Sequence, residues 1–327
     1  MTNSLLPEEM SAAAETRGKT SRRRRRPLHR RVLRGSPPYL LIAPVIIAVG
    51  AILGYPLYYL VKISLQQYGL PELISKHGKW VGLDNYRSVL NDTVFWHTLE
   101  RTVIFTIATV GLTIVLGTLL AFLLVRISTW VRILLTAGLV LVWAMPAVVA
   151  VQVWYYMTNI QNGVLSYVLT TLRLGDYFQH NWYSTTFWQL AMVATLIVWA
   201  GLPFVVITVY AGLAQVPSEL VEAAEVDGAG LARIFRDVTF PILKPVLLIL
   251  TSLSIIWNFG VFTQDYLLIG REHQFASNYL MGIYLYIEGY SQTNFGRGAA
   301  ISLLMLVIVA VMSVFYVRKM VQIGDVD

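Results

Sequence analysis

Six stretches of the chain are apolar and nearly free of charge for about 20 residues or more, each bounded by polar residues. They are Tyr39 to Val61, Thr102 to Val125, Ile133 to Met157, Phe187 to Ala214, Val246 to Leu268, and Ala299 to Val317. A helix of about 20 residues crosses a ~30 Å hydrocarbon core. Backbone groups inside a bilayer have no water partner, so such runs must be helices or strands of a closed barrel, and unbroken apolarity favours helices. The pattern predicts an all-α integral membrane protein with six transmembrane helices.

Charge fixes an expected orientation. The block SRRRRRPLHRRVLR precedes the first apolar run, and a basic block of this kind is retained in the cytoplasm. Six crossings then return the carboxyl end, with Arg318 and Lys319, to the same side. Arg126 and Arg132 flank a short inside loop, and Arg233, Arg236 and Lys244 lie in a long one, whereas Lys76, Lys79 and Arg87 fall outside against the rule. The expectation is a multi-pass protein of a bacterial-type inner membrane with both termini cytoplasmic. Residues 1–38 read as a basic, disordered tail that meets anionic lipid and sets topology, not as a nucleic-acid-binding arm, and residues 39–327 as the membrane domain.

Composition narrows the chemistry. Only 13% of residues are charged against 56% hydrophobic, well below the ~25% charge of soluble domains. There is no cysteine, which excludes disulfides, iron–sulfur clusters and thiol catalysis, and five scattered histidines give no metal-ligand spacing. Gly18-Lys19-Thr20 resembles the end of a phosphate loop, but the position that needs the first glycine is Ala13 and no apolar strand precedes it. No nucleotide, metal or other cofactor site is expected on this chain.

The exception among the connecting segments is the loop at about 215–245, EAAEVDGAGLARIFRDVTFP at its centre. Pro217 and Ser218 suit a helix start, Glu219 places negative charge at its positive end, and SELVEAAEV is a good helix former. Asp227-Gly228 supplies a stop in which glycine takes positive φ. LARIFRDV then forms a second short helix that Pro241 and Pro245 end. The prediction is a helix–turn–helix with charged residues outside and two adjacent alanines where a partner approaches closely.

These residues carry a resemblance. Glu222-Ala223-Ala224, Asp227-Gly228-Ala229, Phe235 and Pro241 resemble, at the same spacing, the EAA signature of binding-protein-dependent ABC importer permeases. Leu213, Pro217 and Leu220 fit its approach, with Val238 and Phe240 as conservative departures. APVIIAVGAILGYPLYYLVKISL is similar to the first helix of the sugar-type permeases, VGLDNYRSVLNDTVFWHTLERTVIFT to their lateral helix and second span, and WNFGVFTQDYLLIG to their fifth, although Gly260 stands where asparagine is usual. The resemblance implies one of two different permeases of a sugar or oligosaccharide importer of the maltose and glycerol-phosphate type. It further implies a separate ABC ATPase, present twice, whose groove receives the loop, and an extracytoplasmic solute-binding protein that delivers substrate. ATP is then used by the partner, and the permease is no enzyme. Gly228 would set the turn, and Glu222 would face a basic residue of the groove.

Residues for a substrate pathway are read from polar groups inside the spans, where they are rare. Thr251, Ser254, Asn258 and Asp265 fall within a ~60° stripe of an ideal helix, with Trp257 beside it. Trp199, Gly201 and Pro203 suggest an irregularity in the fourth span, and Trp143, Gln152 and Tyr155 are candidates in the third. The competing reading is that serine and asparagine join helices while tryptophan and tyrosine form the interfacial belt. Outside the sugar class, an importer of glycerol-phosphate, amino acids or polyamines is the nearer rival. An ion-coupled transporter would need more intramembrane acids than Asp265, and a membrane enzyme would need paired acids that Asp84, Asp92 and Asp176 do not provide.

Overall fold

The computed structural model describes residues 38–270 and 275–324. The arginine block, the phosphate-loop-like Gly18–Thr20 and the expected disorder of the tail lie outside the described residues. The described residues fall into two units, divided between Pro56 and Leu57.

Helix α1, Pro38–Ser64, covers the first predicted span. A small hairpin follows, in which β1, Gln66–Gln67, pairs antiparallel with β2, Lys79–Trp80, around the short helix α2, Leu70–Ser75. Helix α3, Asp84–Leu90, is the lateral helix expected before the second span. That span, α4, is longer than its apolar run and covers Thr93–Arg126. Its start is set by Asp92, whose carboxylate accepts the Val94 N–H at 2.9 Å and so satisfies one of the free amides of the first turn.

The third predicted span is broken. Helix α5, Thr129–Trp143, and helix α6, Ala147–Met157, meet at 104°. Pro146 has no N–H to return to Val142, so Met145 donates to that carbonyl instead at 3.2 Å and the chain turns. A short helix α7, Val164–Thr171, precedes α8, Thr186–Leu213. Helix α8 runs on through Gly201 and Pro203, without the irregularity expected there.

The long loop begins with α9, Ser218–Val226, and continues with α10, Leu231–Ile234. Here the structure departs from the prediction, because the prolines do not end the second helix. A π-turn at Phe235–Thr239 carries α10 directly into α11, Phe240–Phe259, making one apolar helical path of 29 residues from Leu231 to Phe259. Pro241 sits in the first turn of α11, where an absent N–H costs least, and the wider π-turn before it relieves the ring's clash with the preceding carbonyls.

The fifth span also ends earlier than predicted. Gly260 stops α11, and Thr263–Ile269 form a separate helix α12. Asp265 is buried on α12 and therefore does not extend the stripe of Thr251, Ser254 and Asn258. Helix α13, Met281–Leu285, passes through a second π-turn, Tyr286–Ser291, before the last span, α14, Phe295–Gly324. Among the described residues five helices are long and apolar enough to cross a membrane, or six if the bent α5–α6 pair counts as one.

Helices α4 and α8 pack along each other, closely enough that a Cβ on Gly117 would lie 2.8 Å from Cβ of Val205. Small residues at such crossings are how membrane helices gain contact without a hydrophobic driving force. Ala121, Val205, Val209 and Leu243 form an apolar cluster toward the loop, while Phe95, Phe259, Met281 and Tyr284 form one at the opposite end of α11.

Candidate functional site

The loop's shape follows from its turn. At the end of α9 the Gly228 N–H donates to the Glu225 carbonyl at 3.0 Å and the Ala229 N–H to the Ala224 carbonyl at 2.9 Å. This pair of bonds is the Schellman arrangement, and it requires the residue after the cap to be left-handed. Gly228 is, with φ of +76°, and a Cβ there would meet nothing within 4 Å. Glycine is needed at this turn for its backbone freedom alone.

The two helices so joined present an open surface. Glu222, Ala223, Asp227 and Pro241 are exposed, and Ala224 and Ala229 are half-buried. Val226, before the turn, is 88% exposed and Leu231, after it, 66% exposed. Phe235 ties the loop to the membrane helices by an edge contact to Phe122 of α4 with centroids 5.5 Å apart. Between them lies an apolar cavity of about 680 Å³, with Arg126 and Glu225 at its polar margin. A rigid helical hairpin with an uncovered apolar and acidic face, anchored by an aromatic contact to a spanning helix, is suited to receive a push from a partner and pass it on.

The pathway candidates are placed differently from one another. Asn258 donates from Nδ2 to Thr109 Oγ1 of α4 at 3.1 Å, and Ser254, one turn earlier, is buried. Thr251 donates to the Leu247 carbonyl of its own helix at 2.7 Å. Trp257 is 54% exposed and stands edge-on to Phe204 of α8, 5.3 Å away. Trp199 packs against Trp154 with centroids 4.9 Å apart, and Tyr155 is half exposed beside Tyr156. A Cβ on Gly201 would lie 3.1 Å from Thr113 Cγ2, so this glycine serves the α8–α4 approach. Trp143 and Gln152 are exposed.

Two features escaped the sequence reading. The first is a threonine stripe on α4, with Thr98, Thr102, Thr106, Thr109 and Thr113 all buried. Thr102 accepts the Met281 N–H at 2.9 Å, and Thr109 meets Asn258, so the stripe is a polar seam through the apolar bundle. Its spacing of four, four, three and four was visible in TLERTVIFTIATVGLT and marks one helical face. The second is an ion cluster with no local signal. Arg297 of α14 bonds to Asp92, pairs through Nε with Glu288 at 3.0 Å, and donates to the Tyr284 hydroxyl at 3.1 Å, while Tyr284 donates to Asp92 at 2.8 Å. No group of three or more His, Cys, Asp or Glu side chains that could hold a metal occurs among the described residues.

Comparison with known proteins agrees with this architecture. A family described as "Binding-protein-dependent transport system inner membrane component" matches residues 113–320. The diacetylchitobiose uptake system permease protein of Streptomyces coelicolor is 38% identical over 281 residues, 86% of this chain and 85% of that protein. The trehalose/maltose transport system permease protein of Thermococcus litoralis is 31% identical over 86% of this chain and 92% of its own. Among solved structures, a bacterial ABC transporter involved in import of the acidic polysaccharide alginate superposes with a TM-score of 0.75 at 17% identity, covering 90% of this chain and 98% of that one, a likeness of fold. The match runs from within α4 into α14 and includes the whole loop from Ser218 onward, and on these grounds the chain belongs to the family of binding-protein-dependent transport system inner membrane components.

Proposed function

We propose that this chain is one of two homologous permease subunits of an ATP-driven importer for a sugar or oligosaccharide. The observation that carries the reading is the exposed α9–α10 hairpin, with its left-handed Gly228 turn at the position the EAA signature requires. Relatives named for diacetylchitobiose, trehalose/maltose and arabinooligosaccharide transport support the substrate class. Energy comes from two ABC ATPase subunits, since the chain carries no nucleotide-binding pattern, and neither a cofactor nor a nucleic acid takes part.

In this scheme Glu222, Ala223, Ala224, Asp227, Gly228, Ala229, Phe235 and Pro241 form the docking element. When two ATPases close on ATP, their rigid-body motion moves α9 and α10. Phe235 transmits it to α4 through Phe122, and the π-turn transmits it into α11 without a flexible joint. The basic residues of the tail and loop support a cytoplasmic position for this end, and for both chain termini, in a bacterial-type cell. A solute-binding protein delivers the sugar at the opposite end. Thr251, Ser254, Asn258, Trp257, Trp199, Gly201 and Tyr155 remain the pathway proposal, with Asn258 on the seam, Ser254 buried one turn before it, and Trp257 and Tyr155 on exposed surface that would face the second permease.

The test is a co-purified binding protein, presented with a panel of mono- and oligosaccharides, amino acids and polyamines, followed by uptake into proteoliposomes holding the complete complex. Uptake of a saccharide in preference to the other classes is the expected result. Uptake of an amino acid or polyamine alone would overturn the substrate class and leave the importer reading intact.

A further inference from the structure

Beyond Gly260 the chain carries an aromatic array that neither the loop nor the polar seam uses. Phe262 and Tyr266 are stacked, with centroids 5.2 Å apart and planes 21° from parallel. Tyr286 touches both at 5.1 Å, tilted 41° to Phe262 and edge-on at 62° to Tyr266, and is itself stacked on Tyr290 at 5.4 Å and 25°. Four rings thus form one ladder, which ends at Tyr290, 66% exposed.

The backbone beneath Tyr286 and Tyr290 explains their alignment. Both lie on the π-turn Tyr286–Ser291, four residues apart and so on one face. Single π-turns of this kind are frequent at functional sites. This one is held from two sides. Glu288, between the two tyrosines, is paired with Arg297, which is fixed in turn to Asp92 at the start of α4. Gly289 lies against Gly298 of α14, where a Cβ would come within 3.0 Å of the facing Cα, so no larger residue fits without displacing the turn. The ladder is a preorganised surface rather than a loose aromatic belt.

Beside it is a cavity of about 540 Å³, lined among others by Gly260, Phe262, Tyr286 and Tyr290. Its volume is within the ~300–1,000 Å³ of small-ligand sites. Gly260 is two residues past Asn258, so the cavity opens where the polar seam of α11 ends. A pyranose ring has an apolar face of C–H groups and hydroxyls around its edge. Tyr290, stacked on Tyr286 and 66% exposed, leaves one flat phenol face open to a ring of that kind.

We infer that the Phe262–Tyr266–Tyr286–Tyr290 ladder is a stacking platform for the pyranose rings of the transported saccharide, at the end of the membrane domain remote from the docking loop. The inference rests on the proposed sugar substrate. Stacking suits a transport site because it holds a ring without enclosing it, and a site on a pathway must release what it binds. Belt tyrosines would be placed by membrane depth alone and would not need an ion-paired, glycine-packed π-turn to align them.

The test uses the complete complex, with ATPase and cognate binding protein, in proteoliposomes, with diacetylchitobiose, maltose and trehalose as probes. Tyr290→Leu is expected to lower the uptake rate at saturating sugar by about three- to tenfold, the size of one lost aromatic contact, with Tyr290→Trp within about twofold of the parent. Complex yield should be unchanged in both. Because the chain has no cysteine, Tyr290→Cys gives a single thiol, whose labelling by a maleimide should be slowed by sugar-loaded but not by empty binding protein. Parental uptake by Tyr290→Leu, equal loss in Tyr290→Leu and Tyr290→Trp, or loss of assembled complex with normal uptake by the remainder would each overturn the platform while leaving the sugar reading standing. A parent complex that imports an amino acid or polyamine and no saccharide would overturn the sugar reading, and the platform with it.

Discussion

Replacing Asn258 with leucine separates the helix-to-helix bond that the structure shows from the substrate contact proposed for the same side chain. Its amide donates to Thr109 Oγ1 across the α11–α4 contact at 3.1 Å, and Thr109 keeps its own bond to the Phe105 carbonyl at 2.8 Å. Loss of Asn258 therefore leaves no buried hydroxyl proton without an acceptor. Side-chain hydrogen bonds between membrane helices average about 0.6 kcal/mol and reach about 1.7, so the structural cost is of that order. A hydrogen bond to a sugar hydroxyl contributes about 1 kcal/mol net, and more when the sugar group is left unsatisfied, so uptake should fall about fivefold or further. Thr109→Val supplies the control, because it removes the helix-to-helix partner and keeps the amide. We expect Asn258→Leu to lose uptake and Thr109→Val to lose only thermal stability, with uptake within about twofold of the parent. The assay reads unfolding temperature and transport on one preparation of assembled complex. Equal destabilisation by the two changes, with normal transport by the surviving complex in both, would show that Asn258 only joins helices.

Gly228→Val should leave the permease inserted but abolish co-purification of the ATPase. The left-handed conformation costs a β-branched residue about 1–3 kcal/mol while no side-chain clash arises, and Gly228→Asn, which tolerates positive φ, should retain most binding. Retained binding in the valine variant, or equal loss in both, would refute the turn's part in docking. Gly117→Leu should destabilise the α4–α8 contact by about 1–3 kcal/mol, read as a lower unfolding temperature of the detergent-solubilised complex, because its Cβ alone already meets Val205. Arg297→Met leaves Asp92 and Glu288, only 22% and 15% exposed, without their cation. That change should cost about 2–3 kcal/mol, somewhat under the ~3–5 of a fully buried pair, and an unchanged unfolding temperature would contradict it.

What was readable in the sequence followed from local rules. Helices α1, α4, α8 and α14 announce themselves as long apolar runs, and the α9 stop at Gly228 is written in Asp-Gly after a helix-forming segment. Proline was the ambiguous signal. Pro146 separates two helices by 104°, Pro203 sits inside an uninterrupted one, and Pro241 follows a π-turn in a continuous path. A missing N–H permits all three outcomes, and neighbouring helices decide among them. Asp265 misled for a related reason, since an apolar run says nothing of the break at Gly260 that moves this residue to another helix. The Asp92–Arg297 contact joins residues 205 apart in sequence, and such pairing exists only once α4 and α14 are packed. Asn258 and Ser254 were singled out as polar, but the bond of Asn258 to Thr109 of α4 and the burial of Ser254 required the helix rotation that only the structure supplies.

The central claim is that transport through this chain is driven by a separate ATPase acting on the α9–α10 hairpin. The most direct measurement is sugar uptake into proteoliposomes holding the complete complex, its binding protein and internal ATP, with and without vanadate and with and without an uncoupler. The account predicts uptake that requires ATP, stops with vanadate, ignores the uncoupler, and is lost in Gly228→Val. Uptake that persists without ATP and collapses with the uncoupler would contradict it.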